Sequence, residues 1–340
     1  MRKTIDAVAL GELLIDFPVY GKSEQGNLLM EACPGGAVCN AMAILAKLGR
    51  KTAFIGKVGD DGFGHLLEKT LSDCGIDNSA LKKDPHVHTT LAIVQTLAGG
   101  DRDFSFYRKP GADIMLTEDE VDYELIKQSK IFYFGTLSMT DLPVRNALFK
   151  AIEVAKEAGC MLCFDPNLRE PLWDNLEDAK KYMRYGFEQC DVLKISDNEV
   201  EFVTGKDIDT GIIEIIETYE IPLTLLTLGK AGSRAYYRGI KAEQCGFSVQ
   251  TVDTTGAGDT FFGAAIDRLI EKGFFPYRTK NLTASDNAYG YDMEKEIEKE
   301  IDEESLKEIL RFANAAAALI TTRKGALRSM PDLQEIYRCF

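Results

Sequence analysis

The chain has 340 residues, which is enough for one large domain with a substantial buried core. Hydrophobic residues make up 45% of it and charged residues 28%, as is typical of an ordinary globular protein. Its formal net charge of −14 disfavours nucleic acids and anionic membrane surfaces as partners, because both require a basic footprint. An anionic ligand must therefore be bound by local groups of the fold and not by the overall charge of the protein.

The sequence shows neither a signal-peptide pattern after Met1 nor an apolar run long enough to span a bilayer. We therefore expect a cytoplasmic protein without a membrane partner. Cys160 and Cys163 satisfy a C-x-x-C spacing, but they lie in an apolar run and have no second pair. This context predicts a buried strand rather than a metal or redox site.

Short β-branched runs alternate with segments of helical periodicity along the chain. The predicted strands are residues 7–10, 52–56, 131–134, 161–164, 192–195 and 223–227, and the predicted helices are residues 36–48, 63–74, 143–158 and 258–272. The alternation predicts an α/β fold with a mainly parallel central sheet and helices on both faces. In such sheets, ligands bind beyond the carboxyl ends of the strands.

Three segments interrupt the alternation. Residues 17–32 and 88–107 have the pattern of short strands with turns, and we predict that they form a small sheet over the substrate end of the main cleft. A solvated hairpin is the alternative. The charge pattern of residues 277–305 predicts an exposed insertion, with a loop at 281–292 and a highly charged helix at 293–310. We expect one domain over residues 1–340, with these segments as two lid pieces and one insertion.

The first predicted helix opens with Pro-Gly-Gly-Ala-Val-Cys-Asn at residues 34–40. Its glycines allow a ligand to approach the backbone, and Asn40 lies one turn inside the helix with an amide that can bind a hydroxyl. Upstream, Gly-Glu-Leu-Leu-Ile-Asp at residues 11–16 ends a strand with the carboxylate of Asp16. A carboxylate, an amide and bare glycine backbone favour a polyol ligand over an apolar one.

The last predicted helix follows the run Asp-Thr-Thr-Gly-Ala-Gly-Asp-Thr at residues 253–260. Two glycines before a helix expose backbone N–H groups, and the helix dipole adds partial positive charge, so an anion should bind there. A carboxylate at Asp259 would repel a phosphate unless it has a chemical role. The natural role is to accept a proton from an alcohol that attacks the phosphate. The run therefore predicts a phosphoryl-transfer centre, with a capped glycine turn as the structural alternative.

Two better-known phosphate motifs fail on spacing. A dinucleotide fingerprint would place a third glycine where the chain has Phe261, and a Walker A loop would place Ser or Thr where Ala231 follows Gly229-Lys230. The run at 253–260 is therefore a different phosphate loop.

From end to end, the chain resembles the PfkB (ribokinase-like) carbohydrate kinases. Gly35, Gly36 and Asn40 match one signature of that family, and residues 253–259 match the other, in the right order. The resemblance implies a ribokinase-like three-layer sandwich, with helices flanking a mainly parallel sheet and a small β-sheet lid. Within the family, residues 11–17, 106–108 and 165–173 are most similar to bacterial fructokinases, although 2-keto-3-deoxygluconate kinases share some of them.

The resemblance implies a role for each matching residue. The catalytic set is Gly256, Ala257, Gly258 and Asp259, in which Asp259 is the general base and the backbone amides form an anion hole. The substrate-binding set is Asp16, Gly35, Gly36, Asn40, Arg108 and Arg169. The nucleotide-binding set is Lys194, Asn198, Glu201, Thr227, Gly229, Lys230, Gly232 and Asn314. Taken singly, such residues also fit structural roles, for example solvated helix positions for Asn198 and Glu201.

The implied cofactors are ATP and Mg²⁺. Glu201 would hold the magnesium ion through water, because Mg²⁺ gives up its water reluctantly. Some relatives also hold a monovalent cation, and K⁺ is the candidate here. The shell that the resemblance implies for it is Asp253, Thr255, Ile320, Arg323, Gly325 and Ser329.

We therefore expect an ATP-dependent sugar kinase that converts D-fructose to fructose 6-phosphate and forms a homodimer through its lid. One alternative is a kinase for 2-keto-3-deoxygluconate or for another ketose or ribose. The other is a protein that senses sugar and nucleotide without turnover. The carboxylate of Asp259 argues against a sensor, because such a protein has no need of a carboxylate beside phosphate.

Overall fold

Two β-sheets organise the chain, and the computed structural model describes residues 3–96, 102–277 and 301–340. The strands are β1 (Ile5–Leu10), β2 (Leu14–Lys22), β3 (Leu28–Met30), β4 (Cys33–Gly35), β5 (Thr52–Gly59), β6 (Ile76–Asp77), β7 (Leu81–Asp84), β8 (Leu91–Thr96), β9 (Arg102–Tyr107), β10 (Ser129–Gly135), β11 (Met161–Asp165), β12 (Val192–Ser196), β13 (Leu223–Thr227), β14 (Gly232–Tyr237) and β15 (Ile240–Cys245). The helices are α1 (Ala37–Lys47), α2 (Gly62–Asp73), α3 (Tyr123–Lys127), α4 (Leu142–Glu157), α5 (Leu176–Gln189), α6 (Asp197–Thr204), α7 (Ile208–Tyr219), α8 (Ala257–Lys272), α9 (Glu303–Ile320) and α10 (Leu333–Tyr337).

The larger sheet has ten strands in the order β15-β14-β13-β12-β11-β10-β1-β5-β6, with β7 also paired to β5. The strands from β13 through β1 to β5 run parallel, and β14 and β15 extend the sheet in antiparallel fashion. Central strands such as β1 and β10 are buried and apolar along most of their length, as a parallel sheet covered on both faces requires. The predicted α/β fold is therefore confirmed.

Successive residues of the central strands face opposite cores, because side chains alternate across a sheet. In β10, Ile131 and Tyr133 join the core that α1, α8 and α9 cover. Phe132 and Phe134 join the core on the other side, beneath α4, α5 and α7. The helices therefore form two layers, and the loops after the strands remain at one open edge of the sheet.

The six strands and four helices predicted within the alternation are all present, with ends within three residues of their predicted positions. The end predicted at 310 for the charged helix is wrong, because α9 continues through the small apolar residues that follow, as far as Ile320. Sequence analysis missed α5, α6 and α7 and the antiparallel pair β14 and β15. In α5, for example, the buried positions are confined to Ala179, Met183, Gly186 and Phe187 within a mostly charged segment. Such a narrow apolar stripe gives a weak periodic signal.

The second sheet has five strands in the order β3-β2-β8-β9, with β4 paired to β2. It contains the two predicted lid segments, residues 17–32 and 88–107, although β2 begins earlier, at Leu14. Residues 97–101 of the second segment lie outside the described residues. Apolar side chains are exposed on this sheet at Val19, Tyr20, Leu28 and Leu29. The prediction of a second, small sheet is confirmed in preference to a solvated hairpin.

Most of the insertion predicted at 277–305 lies outside the described residues, including the loop at 281–292 and the predicted helix start at 293. In the described part, α9 begins after Asp302, whose carboxylate caps the helix by accepting the Ser305 amide at 2.9 Å. Within the described ranges, no helix is both long and apolar enough to cross a membrane.

A glycine allows α1 and α8 to pack closely. A Cβ atom at Gly263 in α8 would lie 2.4 Å from Ile44 Cγ2 and 2.7 Å from the Ala41 carbonyl oxygen in α1. Both distances are far shorter than van der Waals contact, so a residue without a side chain is required there. This close approach brings the N-terminal ends of the two helices together.

We expect Gly263→Ala to lower the free energy of unfolding by about 1–3 kcal/mol, because the added methyl group overpacks the contact with α1. Urea unfolding measures this change. Gly62→Ala is the matched control, since nothing lies within 4 Å of a Cβ at that position in α2. Equal stability of the two variants would contradict the packing argument.

Candidate active site

A cleft of ≈ 760 Å³ opens at the carboxyl ends of the central strands, between the large sheet and the lid. It is lined by loops after β1, β11 and β12, by the N-terminal ends of α1 and α8, and by Phe106 of the lid. The predicted site residues that line it are Asp16, Gly36, Asn40, Arg169, Lys194, Asn198, Thr255, Gly256, Ala257, Gly258 and Asp259. Residues far apart in the sequence are thus brought into one cleft.

The N-terminal end of α8 forms one wall of the cleft. Gly256 caps the helix with a φ of 76°, a left-handed conformation that favours glycine. A Cβ atom there would also lie 3.0 Å from the Ala326 methyl group. The first amides of a helix have no intrahelical partner, so those of Gly258 and Asp259 are available to a ligand. The predicted anion site therefore has the local geometry that it requires.

Asp259 is 7% exposed and lies in the first turn of α8. Its Oδ2 atom accepts a hydrogen bond of 2.7 Å from Nδ2 of Asn40 in α1. Burial raises the pKa of the Asp259 carboxyl above its usual value, although the Asn40 hydrogen bond and the Lys194 charge act in the opposite direction. A carboxylate whose pKa is raised in this way is a better proton acceptor than one on the surface.

Lys194 and Asp165 form a buried ion pair at the floor of the cleft. Their Nζ and Oδ1 atoms lie 3.0 Å apart. Burial raises the pKa of Asp165 to about 7, and the Lys194 charge only partly offsets this. The Lys194 ammonium also lies beside the anion site, because a Cβ atom at Gly258 would be 3.1 Å from Nζ.

Glu199 joins two loops that line the cleft. One carboxylate oxygen accepts the Leu168 amide at 2.8 Å, and the other accepts the Ser196 amide and hydroxyl, each at 2.8 Å. The second contact is a capping box at the start of α6. Glu199 therefore fixes the loop of Arg169 relative to the loop of Asn198.

The polyol end of the cleft depends on close backbone packing. The Glu12 carboxylate accepts the Ala37 amide at 2.5 Å and so holds the start of α1. A Cβ atom at Gly36, where φ is 133°, would lie 2.3 Å from the Glu12 carbonyl oxygen. At Gly35 it would lie 2.3 Å from Asp16 Oδ2. A side chain at position 36 would clash with backbone, whereas one at position 35 would displace the Asp16 carboxylate.

Arg108 does not line the cleft. Its guanidinium is buried, pairs with Asp113 at 2.7 Å, and donates to the Thr140 hydroxyl and the Leu137 carbonyl oxygen. These bonds anchor the end of β9 to the body of the protein. In this arrangement the hydrogen-bonding groups of Arg108 are engaged within the fold, and its contact with substrate stays a prediction.

Glu201 is exposed and lies outside the cleft lining, whereas Glu199 lines the cleft. In a helix, residues two positions apart point in different directions, so only one of the two can face the cleft directly. Of the two acids at this helix start, Glu199 is the one that lines the cleft. A direct contact from Glu201 to a ligand in the cleft is not part of this arrangement.

The expected nucleotide loop and Asn314 also lie outside the cleft lining. Gly229 and Gly232 turn the chain between β13 and β14, with φ values of 54° and 114°. The expected loop members Thr227 and Lys230 belong to the same connection. The Asn314 side chain accepts the Ser233 hydroxyl at 2.9 Å and donates to the Gln244 carbonyl oxygen at 3.1 Å, so it ties α9 to the sheet.

Three residues of the expected cation shell are joined directly. Asp253 Oδ1 accepts the Thr255 amide at 2.9 Å, and Asp253 Oδ2 accepts the Gly325 amide at 3.3 Å. Two others contact each other, since Arg323 donates to the Ser329 carbonyl oxygen at 3.3 Å. The remaining member, Ile320, has its side chain in the core. Among the described residues, no three His, Cys, Asp or Glu side chains are grouped to bind a metal ion directly.

No role was predicted from the sequence for Glu12, Asp165 or Glu199. Each is a buried carboxylate within or directly beneath the cleft. A signal was present, because each follows or ends a predicted strand. Whether an acid is buried depends on the elements that pack around it, so its burial cannot be predicted from the local sequence.

Comparison with known proteins gives a consistent result. Residues 5–333 match the model of the pfkB family carbohydrate kinases. A protein named probable fructokinase-2 from Arabidopsis thaliana is 40% identical over 330 residues, which cover 95% of this chain and 92% of that protein.

Solved structures agree with the sequence match. A fructokinase with bound ATP from Xylella fastidiosa superposes with a TM-score of 0.82 at 29% identity, covering 100% of this chain and 98% of that one. A double mutant of the fructokinase from Vibrio cholerae O395, in a form with bound fructose, ADP and potassium ion, has a TM-score of 0.80 at 28% identity and 99% coverage of both chains.

Burial makes Glu12 a source of pH-dependent stability. Its pKa is raised from 4.5 to about 7, chiefly by desolvation. A raised carboxyl pKa stabilises the fold fully below the unfolded value, and this contribution is lost as the pH rises through the folded value. Glu12→Gln keeps an acceptor for Ala37 but has no carboxyl to titrate. We therefore expect its free energy of unfolding to rise relative to that of the wild type by up to about 3 kcal/mol as the pH increases from about 4.5 to about 7.

Urea unfolding at about pH 5 and about pH 8 measures this difference. Glu24→Gln in an exposed turn controls for the loss of one negative charge. A Glu12→Gln effect that does not change with pH would show that the Glu12 carboxyl titrates normally.

Proposed function

Since the chain belongs to the pfkB family of carbohydrate kinases, we propose that it transfers the γ-phosphoryl group of ATP to D-fructose and forms fructose 6-phosphate. The observation that carries this proposal is the buried carboxylate of Asp259 at the N-terminal end of α8, in one cleft with Asp16 and Gly36. The named relatives support fructose as the sugar, because they are fructokinases over nearly the whole length of the chain.

In this mechanism Asp259 is the general base. The primary hydroxyl of the sugar lies between Asp259 and the γ-phosphate and gives its proton to the carboxylate as the oxygen attacks phosphorus. Asn40 orients the carboxylate through the hydrogen bond at 2.7 Å. The amides of Gly258 and Asp259, at the positive end of the helix dipole, stabilise negative charge on the transferring group.

The phosphates of ATP would bind in the half of the cleft formed by the start of α8, with the rest of the nucleotide extending beyond the cleft lining. The glycines at 256 and 258 leave the backbone open, and Lys194 places a cation beside them. Thr227, Gly229, Lys230, Gly232 and Asn314 would hold the nucleotide beyond this point. Magnesium, when bound to the phosphates, neutralises their charge. Asn198 and Glu201 would hold it through water, which agrees with the donor set, since the described residues group no three acids for direct binding.

The sugar hydroxyls would bind at the polyol end of the cleft. Asp16, Asn40 and the backbone at Gly35 and Gly36 supply acceptors and donors there, and the tight packing around both glycines fixes their positions. Arg169 lines the same cleft and would contact the substrate there.

A monovalent cation, with potassium as the candidate, would support the loop before α8. The gathering of Asp253, Thr255 and Gly325 by direct hydrogen bonds favours a site formed by this loop and residues 320–329. The potassium ion bound in the form of the Vibrio relative supports the choice of potassium as the ion. Such a cation would stabilise the anion site without touching the reacting atoms.

The protein would act in the cytoplasm as a homodimer paired through the lid. The exposed apolar side chains on the lid sheet, such as Tyr20 at 62% and Leu28 at 52%, support this arrangement, because a second copy could cover them. Size-exclusion chromatography with light scattering tests it, and a monomer at micromolar concentration would refute it.

One observation favours a second candidate substrate. Arg169 provides a cation in the cleft close to the catalytic carboxylate, and such a group could bind an acidic ketose such as 2-keto-3-deoxygluconate. Coupled detection of ADP with a panel of neutral and carboxylated sugars separates the two candidates. We expect fructose to give the highest kcat/KM, whereas preference for the carboxylated sugar would replace fructokinase by the second candidate.

We expect Asp259→Asn to lower kcat by about 10²- to 10⁴-fold, because the amide cannot accept the proton of the sugar hydroxyl. The variant keeps an oxygen for the Asn40 hydrogen bond, so it should bind ATP nearly as well as the wild type. Steady-state kinetics and calorimetric titration measure the two effects. Near-normal kcat would exclude Asp259 as the base, and tight ligand binding by a wild type that releases no ADP would indicate a sensor.

A further inference from the structure

The ion pair of Asp165 and Lys194 lies at the centre of the proposed reaction site. The two residues are neighbours on parallel strands, because Phe164 of β11 is in register with Leu193 of β12. Asp165 is 1% exposed and Lys194 is 5% exposed. A charge pair buried this deeply is weak evidence for stability, because desolvation offsets much of the attraction. Its placement therefore calls for a functional explanation.

Asp165 itself does not line the cleft. Its Oδ1 atom accepts from Lys194 Nζ at 3.0 Å and from the Asn167 amide at 3.2 Å. Its Oδ2 atom is buried and accepts no hydrogen bond within the described residues. A carboxylate in this position can act on a ligand only through the groups that it touches.

Lys194 faces the cleft on its other side. Its Nζ atom lies beside Gly258, at the start of the helix that would receive the phosphate. An ammonium group carries three N–H donors, and the hydrogen bond to Asp165 uses one of them. Asp165 therefore holds the ammonium group on the side away from the cleft. The remaining N–H groups can donate to an oxygen that lies beside the amides of α8.

We propose that Asp165 is a positioning residue, which holds the Lys194 ammonium beside Gly258 so that it donates to an oxygen of the transferring phosphoryl group. This inference rests on the proposed function, because it assumes that ATP binds at the start of α8. Lys194 would then bind the γ-phosphoryl group specifically, rather than the nucleotide in general. Its effect would be strongest in the transition state, where charge on that group is redistributed in a site shielded from water.

The surrounding charges keep the lysine ionised for this role. Asp165 of β11, Glu199 of α6 and Asp259 of α8 face it. Burial alone would lower the pKa of Lys194, but these carboxylates outweigh burial and hold it above the usual value. Removal of the Asp165 charge should therefore make Lys194 easier to deprotonate.

The test compares Lys194→Met, Asp165→Asn and the double variant. We expect Lys194→Met to lower kcat by about 10- to 100-fold, the factor associated with loss of a hydrogen bond to a charged group. Asp165→Asn should lower kcat by about 10-fold, with little change in KM for the sugar. The double variant should be no slower than Lys194→Met, because Asp165 acts through the lysine. Independent, multiplying effects in the double variant would overturn the proposal.

A pH profile separates positioning from a structural effect. In Asp165→Asn, the alkaline limb of kcat should move to lower pH, since the lysine has lost its nearest carboxylate. Asp267→Asn is the matched control, because Asp267 is also fully buried and pairs with Arg50 at 2.5 Å, but lies farther along α8 and outside the cleft lining. Equal losses of kcat in both variants, without a change of the alkaline limb, would overturn the proposal.

Binding measurements test the inference without turnover. In calorimetric titrations without sugar, Lys194→Met and Asp165→Asn should weaken ATP binding and leave ADP binding nearly unchanged, because ADP lacks the γ-phosphoryl group. Equal weakening for both nucleotides would overturn the proposal. If the wild type phosphorylates no sugar, the proposed function fails, whereas the comparison of ATP with ADP still tests the ion pair.

Discussion

The hydrogen bond from Asn40 to Asp259 joins the two helices on which the site depends. Asn40 lies in the first turn of α1, beside the glycines of the polyol end, and Asp259 lies in the first turn of α8, beside the anion site. The helices can approach each other because Gly263 has no side chain at their crossing. One amide thus relates the sugar half of the cleft to the phosphate half. A shift of either helix relative to the other would move the proposed base away from the proposed sugar site.

The cleft concentrates buried carboxylates in a chain that is already acidic, with a net charge of −14. Burial raises the pKa of Glu12, Asp165 and Asp259, so each acid costs free energy when it is ionised. Lys194 and Arg169 are cations that line the same cleft. An anionic nucleotide would therefore be held by fixed cations and by backbone amides at a helix end, rather than by the overall field of the protein.

Much of the fold and the centre of the site could be predicted from the sequence. Short continuous apolar runs rich in β-branched residues locate the central strands, and segments of helical period locate α1, α2, α4 and α8, because both patterns arise from local sequence. The run at 253–260 predicts a helix start with exposed amides, which is also a local property. The pairing of Arg108 is a feature that local patterns do not predict. The match of Arg108 to a substrate-binding position does not reveal that Asp113, five residues later, would pair with it.

The acids of α6 show the same limit. Glu199 and Glu201 are both glutamates of the same helix, so the local sequence does not distinguish them. Only the direction in which α6 leaves β12 decides that Glu199 faces the cleft. Asp165 was a strand-end acid in the sequence, and its partner Lys194 is 29 residues away. The sequence by itself determined the α/β alternation, the family and the helix start after the glycine-containing run at 253–260, because these depend on short-range periodicity and contiguous residues. Only the tertiary structure decided which carboxylates are buried, which cations pair with them and which arginine reaches the cleft, because burial and pairing depend on contacts between segments far apart in the chain.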